Sequence, residues 1–385
     1  MTSRLSEIPR ILKIDLEGAR SAFLWGPRKV GKSTLLREQF PRAKFYDLLD
    51  TDLRTRLLLR PSLLREECLA GKEKLVVLDE VQKVPALLDE VHWLIENAGI
   101  RFVLAGSSAR KLRRGAANLL GGRAWRYELF PLTTREVPDL ELDRAFHRGL
   151  IPDHYLSPRP ERSLRSYTLD YLAEEVQAEA LTRNVPAFAR FLEAVAAGHG
   201  SLLNYANVSR ECGVAAKTVR EYYQILEDTL LGHTLPPWRK ARKRRLIETA
   251  KFYLFDVGVV RSLRGMAPIP PRTAEFGQSF EHLMIEEVRA YLSYSESNLP
   301  LSFWRTSTGF EVDLLVGDLD LALEFKAVPY AGPEQARGLR ALKEEHRVRR
   351  AAVVSLDPVP RKLEDGILVL PWRDFCGRLW DGDLV

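Results

Sequence analysis

The chain has 385 residues, 45% apolar and 29% charged, with a formal net charge of +6. That length predicts two or three domains, and the composition suits buried cores with a charged surface. No stretch approaches the ~20 continuous apolar residues of a membrane span. Met1 to Arg10 is polar, without the apolar stretch of a secretory leader, so a cytoplasmic location and no membrane partner are expected. Cys68, Cys212 and Cys376 lie far apart with no CxxC pair. Neither a disulfide framework nor a zinc site is indicated, and the histidines show no metal-binding spacing.

The first element is a short apolar strand, Ser21 to Trp25, followed by Gly26-Pro27-Arg28-Lys29-Val30-Gly31-Lys32-Ser33-Thr34. This fits G-x-x-x-x-G-K-[ST] without a mismatch. Leu35, Leu36 and Phe40 then give a helical stripe, so the motif stands between a strand and a helix. The glycines let the backbone wrap phosphate oxygens, and the helix start adds positive potential. Lys32 is expected on the β- and γ-phosphates and the Ser33 hydroxyl on Mg²⁺. Ala43 to Leu49 reads as a strand and Asp52 to Ala70 as a helix. Leu75 to Glu80 is an apolar strand ending in two acids: Asp79 to hold Mg²⁺ and Glu80 to polarise the attacking water. Phe102 to Ala105 is a further strand, ending at Ser107, a polar sensor for the γ-phosphate. Tyr127 to Phe130 closes the sheet. All these groups lie at carboxyl ends of strands, where open α/β sheets bind ligands.

Gly26 to Glu136 resembles a clade of prokaryotic AAA-type ATPases, through GPRKVGKST, VVLDEVQKVP, AGSSARKL and LLGGRAWRYELFPLTTREV. The resemblance continues at LNYANVSRECGVAAKTVREYYQILEDT, KFYLFDVGVVRSL and FWRTSTGFEVDLLV…LALEFKAV, in a carboxy-terminal region of that family long described only as a domain of unknown function. It implies a ring of copies, a hexamer, with an arginine finger: Arg123 is the first candidate and Arg110 the second.

Tyr167 to Ala197 has helical spacing, which Pro186 is expected to divide. Leu202 to Glu211, the turn Cys212-Gly213-Val214 and a helix opening at Ala216 read as helix-turn-helix. Lys217, Thr218 and Arg220 stand where a recognition helix meets DNA. The cations Arg239, Lys240, Arg242, Lys243, Arg244 and Arg245 precede a strand at Lys251 to Phe255, in the order of a winged helix with a basic wing. A second basic group lies at Arg110, Lys111, Arg113 and Arg114. Trp238 is placed either along a nucleic-acid backbone or in packing.

A helix near Phe276 carries Glu281. The strands Phe310 to Val316 and Leu321 to Lys326, joined at Gly317-Asp318, carry Asp313, Glu324 and Lys326. Strand alternation puts Glu324 and Lys326 on one face. The spacing resembles the PD-(D/E)XK nucleases, with Glu281 as the helix acid, and implies a second Mg²⁺ or Mn²⁺ site. Phe303, Trp304, Arg305 and Phe310 are expected to stiffen the sheet.

The expected fold class is α/β. A P-loop NTPase with an AAA-type parallel sheet (1–145) precedes a helical and winged-helix module (146–270) and an α/β restriction-endonuclease-like domain (271–385). The expected function is a Mg-dependent, DNA-stimulated ATPase that translocates or remodels DNA. An ATP-gated nuclease, and a nucleotide switch using the winged helix as a protein adaptor, stay open.

Overall fold

The computed structural model describes residues 8–18, 21–108, 120–168, 184–240 and 246–385. The chain divides into two compact units. One comprises Pro9–Pro131 and Gln224–Leu231; the other includes Leu132–Tyr223 and Gly232–Val385, so the expected second and third parts fall together.

In the first unit, β1 (Ser21–Trp25), β2 (Lys44–Asp47), β3 (Leu75–Asp79), β4 (Arg101–Gly106) and β5 (Ala124–Glu128) form a sheet in the order β2-β3-β4-β1-β5. Every pairing is parallel. The central strands are near-continuous apolar runs because helices can cover both faces of a parallel sheet. Helix Leu87–Ala98 buries Leu87, Val91, Leu94 and Ile95, one face at helical spacing, in the core that holds Phe23, Tyr46, Val76 and Leu104. Each such side chain contributes about 1.5–3 kcal/mol by leaving water.

The helix expected from Asp52 to Ala70 is two helices, Thr51–Leu59 and Ser62–Gly71. Pro61 separates them, since proline disfavours helical geometry in the residue before it. Asp50 starts the first by accepting from Asp52 N and Leu53 N. The closing strand begins at Ala124, three residues before the expected Tyr127. Trp125 and Arg126 face solvent there, so no apolar run marks the strand's start.

In the second unit, Pro186 stands in the first turn of helix Val185–Ala197, with Asn184 Oδ1 accepting from Ala187 N; residues 169–183 of the expected helical stretch lie outside the described residues. Proline fits a first turn because the amide hydrogen it lacks would have no helical partner there. Helix Tyr205–Cys212 starts three residues after the expected Leu202, at an Asn204 cap, while Leu202 bridges to Lys251. Gly213, at φ 69°, makes the reversal into helix Ala216–Asp228. Then β6 (Gly232–Leu235) pairs antiparallel with β7 (Lys251–Leu254).

A 21-residue helix, Ala274–Tyr294, follows, capped by Thr273. Six strands complete the unit: β8 (Leu301–Arg305), β9 (Glu311–Val316), β10 (Leu321–Lys326), β11 (Arg350–Ser355), β12 (Arg361–Lys362) and β13 (Leu368–Pro371). Their order is β12-β13-β11-β10-β9-β8. The β9–β10 turn spans four residues, 317–320, not two, because Val316 pairs with Leu321. Gly317 and Leu319 take its left-handed positions. Phe280, Met284, Leu314, Leu323 and Phe325 pack on one face of this sheet. On the other, Leu339 and Leu342 of helix Arg337–Glu345 meet Val312, Leu315 and Val353. Phe303 and Trp304 are fully buried, one on each side, as expected of sheet-stiffening residues. Among the described residues no helix is long and apolar enough to cross a membrane.

Candidate nucleotide site and a buried charge cluster

The loop after β1 is shaped by its glycines. Gly31 sits at φ 97°, a conformation side-chain-bearing residues avoid. A Cβ on Gly26 would stand 2.6 Å from Leu129 O. Lys32 is buried, its ammonium donating to Gly26 O at 2.7 Å and Pro27 O at 2.9 Å. The loop thus curls around a cation, and Val30 is fully buried beneath it.

Because β3 and β4 lie beside β1, their carboxyl ends reach the same place. Ser33 Oγ donates to Asp79 Oδ2 at 2.5 Å. These two oxygens converge as a shared Mg²⁺ requires, so the residues fit the metal the motif implies. Burial raises the Asp79 pKa; the Ser33 hydrogen bond opposes this and the Glu80 carboxylate adds to it. A cation here would relieve that desolvation. Glu80 takes a left-handed backbone at φ 59°, which costs roughly 1 kcal/mol in a non-glycine residue.

Sequence reading missed two residues here. Gln82 Nε2 donates to Glu80 Oε2 at 2.5 Å and to Ser107 Oγ at 3.0 Å, tying the Glu80 carboxylate to the Ser107 hydroxyl. It lay inside the quoted VVLDEVQKVP, but only the strand-end acids carried a recognised role. Arg10 donates to Phe130 O at 2.7 Å, to Pro131 O at 3.4 Å and also to Val30 O, so it braces the phosphate loop against the segment after β5. Nothing local in the sequence marks Arg10, because its partners are distant main-chain carbonyls.

Arg123 pairs with Glu96 of its own chain and donates to Gly121 O at 3.5 Å. Arg110 and its neighbours Lys111, Arg113 and Arg114 lie outside the described residues.

In the second unit Lys217 and Arg220 are exposed, Thr218 is half-buried and Val219 faces the core. Arg220 lies over the Tyr205 ring, 5.1 Å from its centre. The described ends of the basic segment run beside β8: Trp238 N donates to Phe303 O at 2.7 Å and Ile247 N to Arg305 O at 2.9 Å. Trp238 itself is buried. Arg239 is exposed, Lys240 pairs with Asp318, and Arg242, Lys243, Arg244 and Arg245 lie outside the described residues.

The structure brings Glu281, Asp313, Glu324 and Lys326 together. Lys326 Nζ lies 2.6 Å from Glu324 Oε1 and 3.4 Å from Asp313 Oδ2. Phe325 N donates to Asp313 Oδ2 at 2.8 Å. Burial, then the Asp313 charge, push Glu324 well above the usual carboxylate range. The same two causes raise Glu281, against Lys251 and the Tyr253 hydrogen bond. Among the described residues no three carboxylate, imidazole or thiol groups are arranged to hold a metal ion. The second metal site expected from the resemblance is therefore not shown at the cluster.

Beside it lie three buried histidines. Leu254 N donates to His199 Nδ1, His282 Nε2 donates to Leu254 O at 2.5 Å, and His233 stacks on Tyr253. Burial lowers all three, His282 to about 3. A depressed folded pKa means the unfolded chain takes protons first, so this stability is complete above about pH 6.5 and lost progressively toward pH 3. Glu287, which burial raises to about 7, acts oppositely: its contribution is complete below pH 4.5 and lost as pH rises through 7. His282→Gln keeps a donor for Leu254 O. It should flatten the decline of the unfolding free energy from urea melts between pH 6 and 5, by up to about 1.4 kcal/mol per pH unit. An unchanged slope would mean that His282 already titrates normally.

A family profile described as an AAA domain matches residues 19–138. Two profiles described as domains of unknown function, DUF8612 and DUF4143, match residues 139–269 and 276–375. Uncharacterized proteins of Mycobacterium bovis and Mycobacterium tuberculosis are each 28% identical over 370 residues, covering 94% of this chain and 82% of theirs. Among solved structures, the chain is similar to the Walker-type ATPase of Pyrococcus abyssi. Identity there is 16% and the TM-score 0.43, over 65% of this chain and 92% of that one. The phosphate loop, the paired Ser33 and Asp79 and the parallel sheet make residues 19–138, the segment that matches the AAA domain, a P-loop NTPase domain.

Proposed function

We propose that this chain is a magnesium-dependent ATPase that binds DNA and couples hydrolysis to translocating or remodelling it, in the cytoplasm and as a ring of copies, with DNA repair or recombination as the setting. Bound Mg²⁺ would neutralise charge between the β- and γ-phosphates. Ser33 and Asp79 would hold it, Lys32 would bind the phosphates, and Glu80 would accept the proton of the attacking water. Gln82 keeps the Glu80 carboxylate and the Ser107 hydroxyl in register.

The observation that carries the DNA reading is the exposed Lys217 and Arg220 at the start of the helix after the Gly213 turn. Two cations one helical turn apart can bind successive phosphates. ATPase rates with and without single-stranded, duplex and branched DNA test this. A several-fold rise is expected, and Lys217→Ala/Arg220→Ala should remove most of it. Identical rates with and without every DNA would refute DNA coupling. The convergence of Glu281, Asp313, Glu324 and Lys326 favours a second reading, an ATP-gated nuclease. It requires metal-dependent nicking that disappears in Glu324→Ala.

A further inference from the structure

Lys251 is the first residue of β7, yet its side chain ends inside the carboxylate cluster. It is only 4% exposed. Its ammonium lies 2.6 Å from Glu311 Oε1 and 3.5 Å from Glu281 Oε1. Two residues on, and so on the same strand face, the Tyr253 hydroxyl donates to Glu281 Oε1 at 2.6 Å. Four carboxylates (Glu281, Glu311, Asp313 and Glu324) thus surround two ammonium groups, Lys251 and Lys326. Arg305 reaches Glu311 from outside at 3.3 Å. Glu324 Oε2 is buried without a hydrogen-bond partner. Burial alone would lower the Lys251 pKa, but Glu281, Asp313 and Glu311 outweigh it and keep the ammonium charged.

Hard carboxylate oxygens at this density suit Mg²⁺ or Mn²⁺. An ammonium offers a compact charge with three donors, and answers the same oxygens without an ordered coordination shell. We infer that the Lys251 ammonium stands in for a divalent cation, holding Glu281 and Glu311 in a charge-closed, metal-free cluster that accepts Mn²⁺ only when Lys251 is removed. It takes only the kind of ion from the nuclease-like resemblance, is an alternative to the nuclease reading of the parent chain, and is independent of DNA coupling. The two can fail separately, because one is read by metal uptake and the other by ATPase stimulation.

The test uses the full chain without nucleotide, carrying Ser33→Ala to silence the ATPase metal position. Free Mn²⁺ is followed by its electron paramagnetic resonance signal. The parent should take up no Mn²⁺ at the cluster. Lys251→Met should take up one ion, at least about tenfold tighter than the parent. Lys251→Met/Glu281→Gln should lose it again. Lys251→Met leaves buried carboxylates uncompensated and will melt lower. Mn²⁺ should then raise its Tm, and should not raise that of the double variant. Parent uptake as tight as that of Lys251→Met would overturn the inference. So would a Lys251→Met chain whose uptake and Tm both ignore Mn²⁺.

Discussion

Lys32→Ala should lower kcat/KM for ATP by about two to three orders of magnitude, as expected when a preorganised charge at the transferring phosphoryl is lost. The ammonium is buried inside the loop, held by Gly26 O and Pro27 O. Glu80→Gln should act differently. The amide keeps the shape and a contact for Gln82, so nucleotide binding persists, but the group can no longer accept a proton from water. Turnover should fall about 10²–10⁴-fold. Measuring ATP affinity by fluorescence and hydrolysis by phosphate release separates the two: the first variant loses both, the second only hydrolysis. Parental turnover by Lys32→Ala would place the activity elsewhere.

Gly338→Ala should destabilise the second unit by about 3 kcal/mol or more, beyond ordinary overpacking. A Cβ on Gly338 would overlap the Glu311 carbonyl oxygen and come within 3.5 Å of Glu324 Oε2. Helix Arg337–Glu345 therefore crosses β9 at a distance only glycine permits, and the obstacle is backbone that cannot rotate away. Gly277→Ala is the control. That glycine lies in helix Ala274–Tyr294 with nothing within 4 Å of its added carbon. It should stabilise by about 0.5–1 kcal/mol, because alanine restricts the unfolded chain more than glycine does. Urea melts of both variants decide it. Equal stability of Gly338→Ala and the parent would mean that helix and strand are not in contact.

The phosphate loop and the Leu75–Asp79 strand were legible because each role depends on residues adjacent in sequence. Gly26 to Ser33 specify a turn, a cation and a helix start within eight positions. The β10 pair Glu324 and Lys326 was legible for the same reason, through alternation along one strand. What local pattern could not show was which distant groups fill the space between. Lys251 reads as a strand-opening surface lysine, and only tertiary packing carries it between Glu281 and Glu311. Trp238 was open between two roles until the β8 backbone supplied its partner. A boundary went astray where a single residue outweighs periodicity: Pro61 divides the helix expected from Asp52 to Ala70.

Arg10 has a practical consequence. One guanidinium serves Val30, Phe130 and Pro131, so the two segments that leave the carboxyl ends of β1 and β5 are buttoned together by the Arg10 side chain. Trimming past that arginine, or crowding it with a bulky fusion, would let the two ends breathe independently. A preparation altered there would show weakened nucleotide affinity with every residue of the phosphate loop intact.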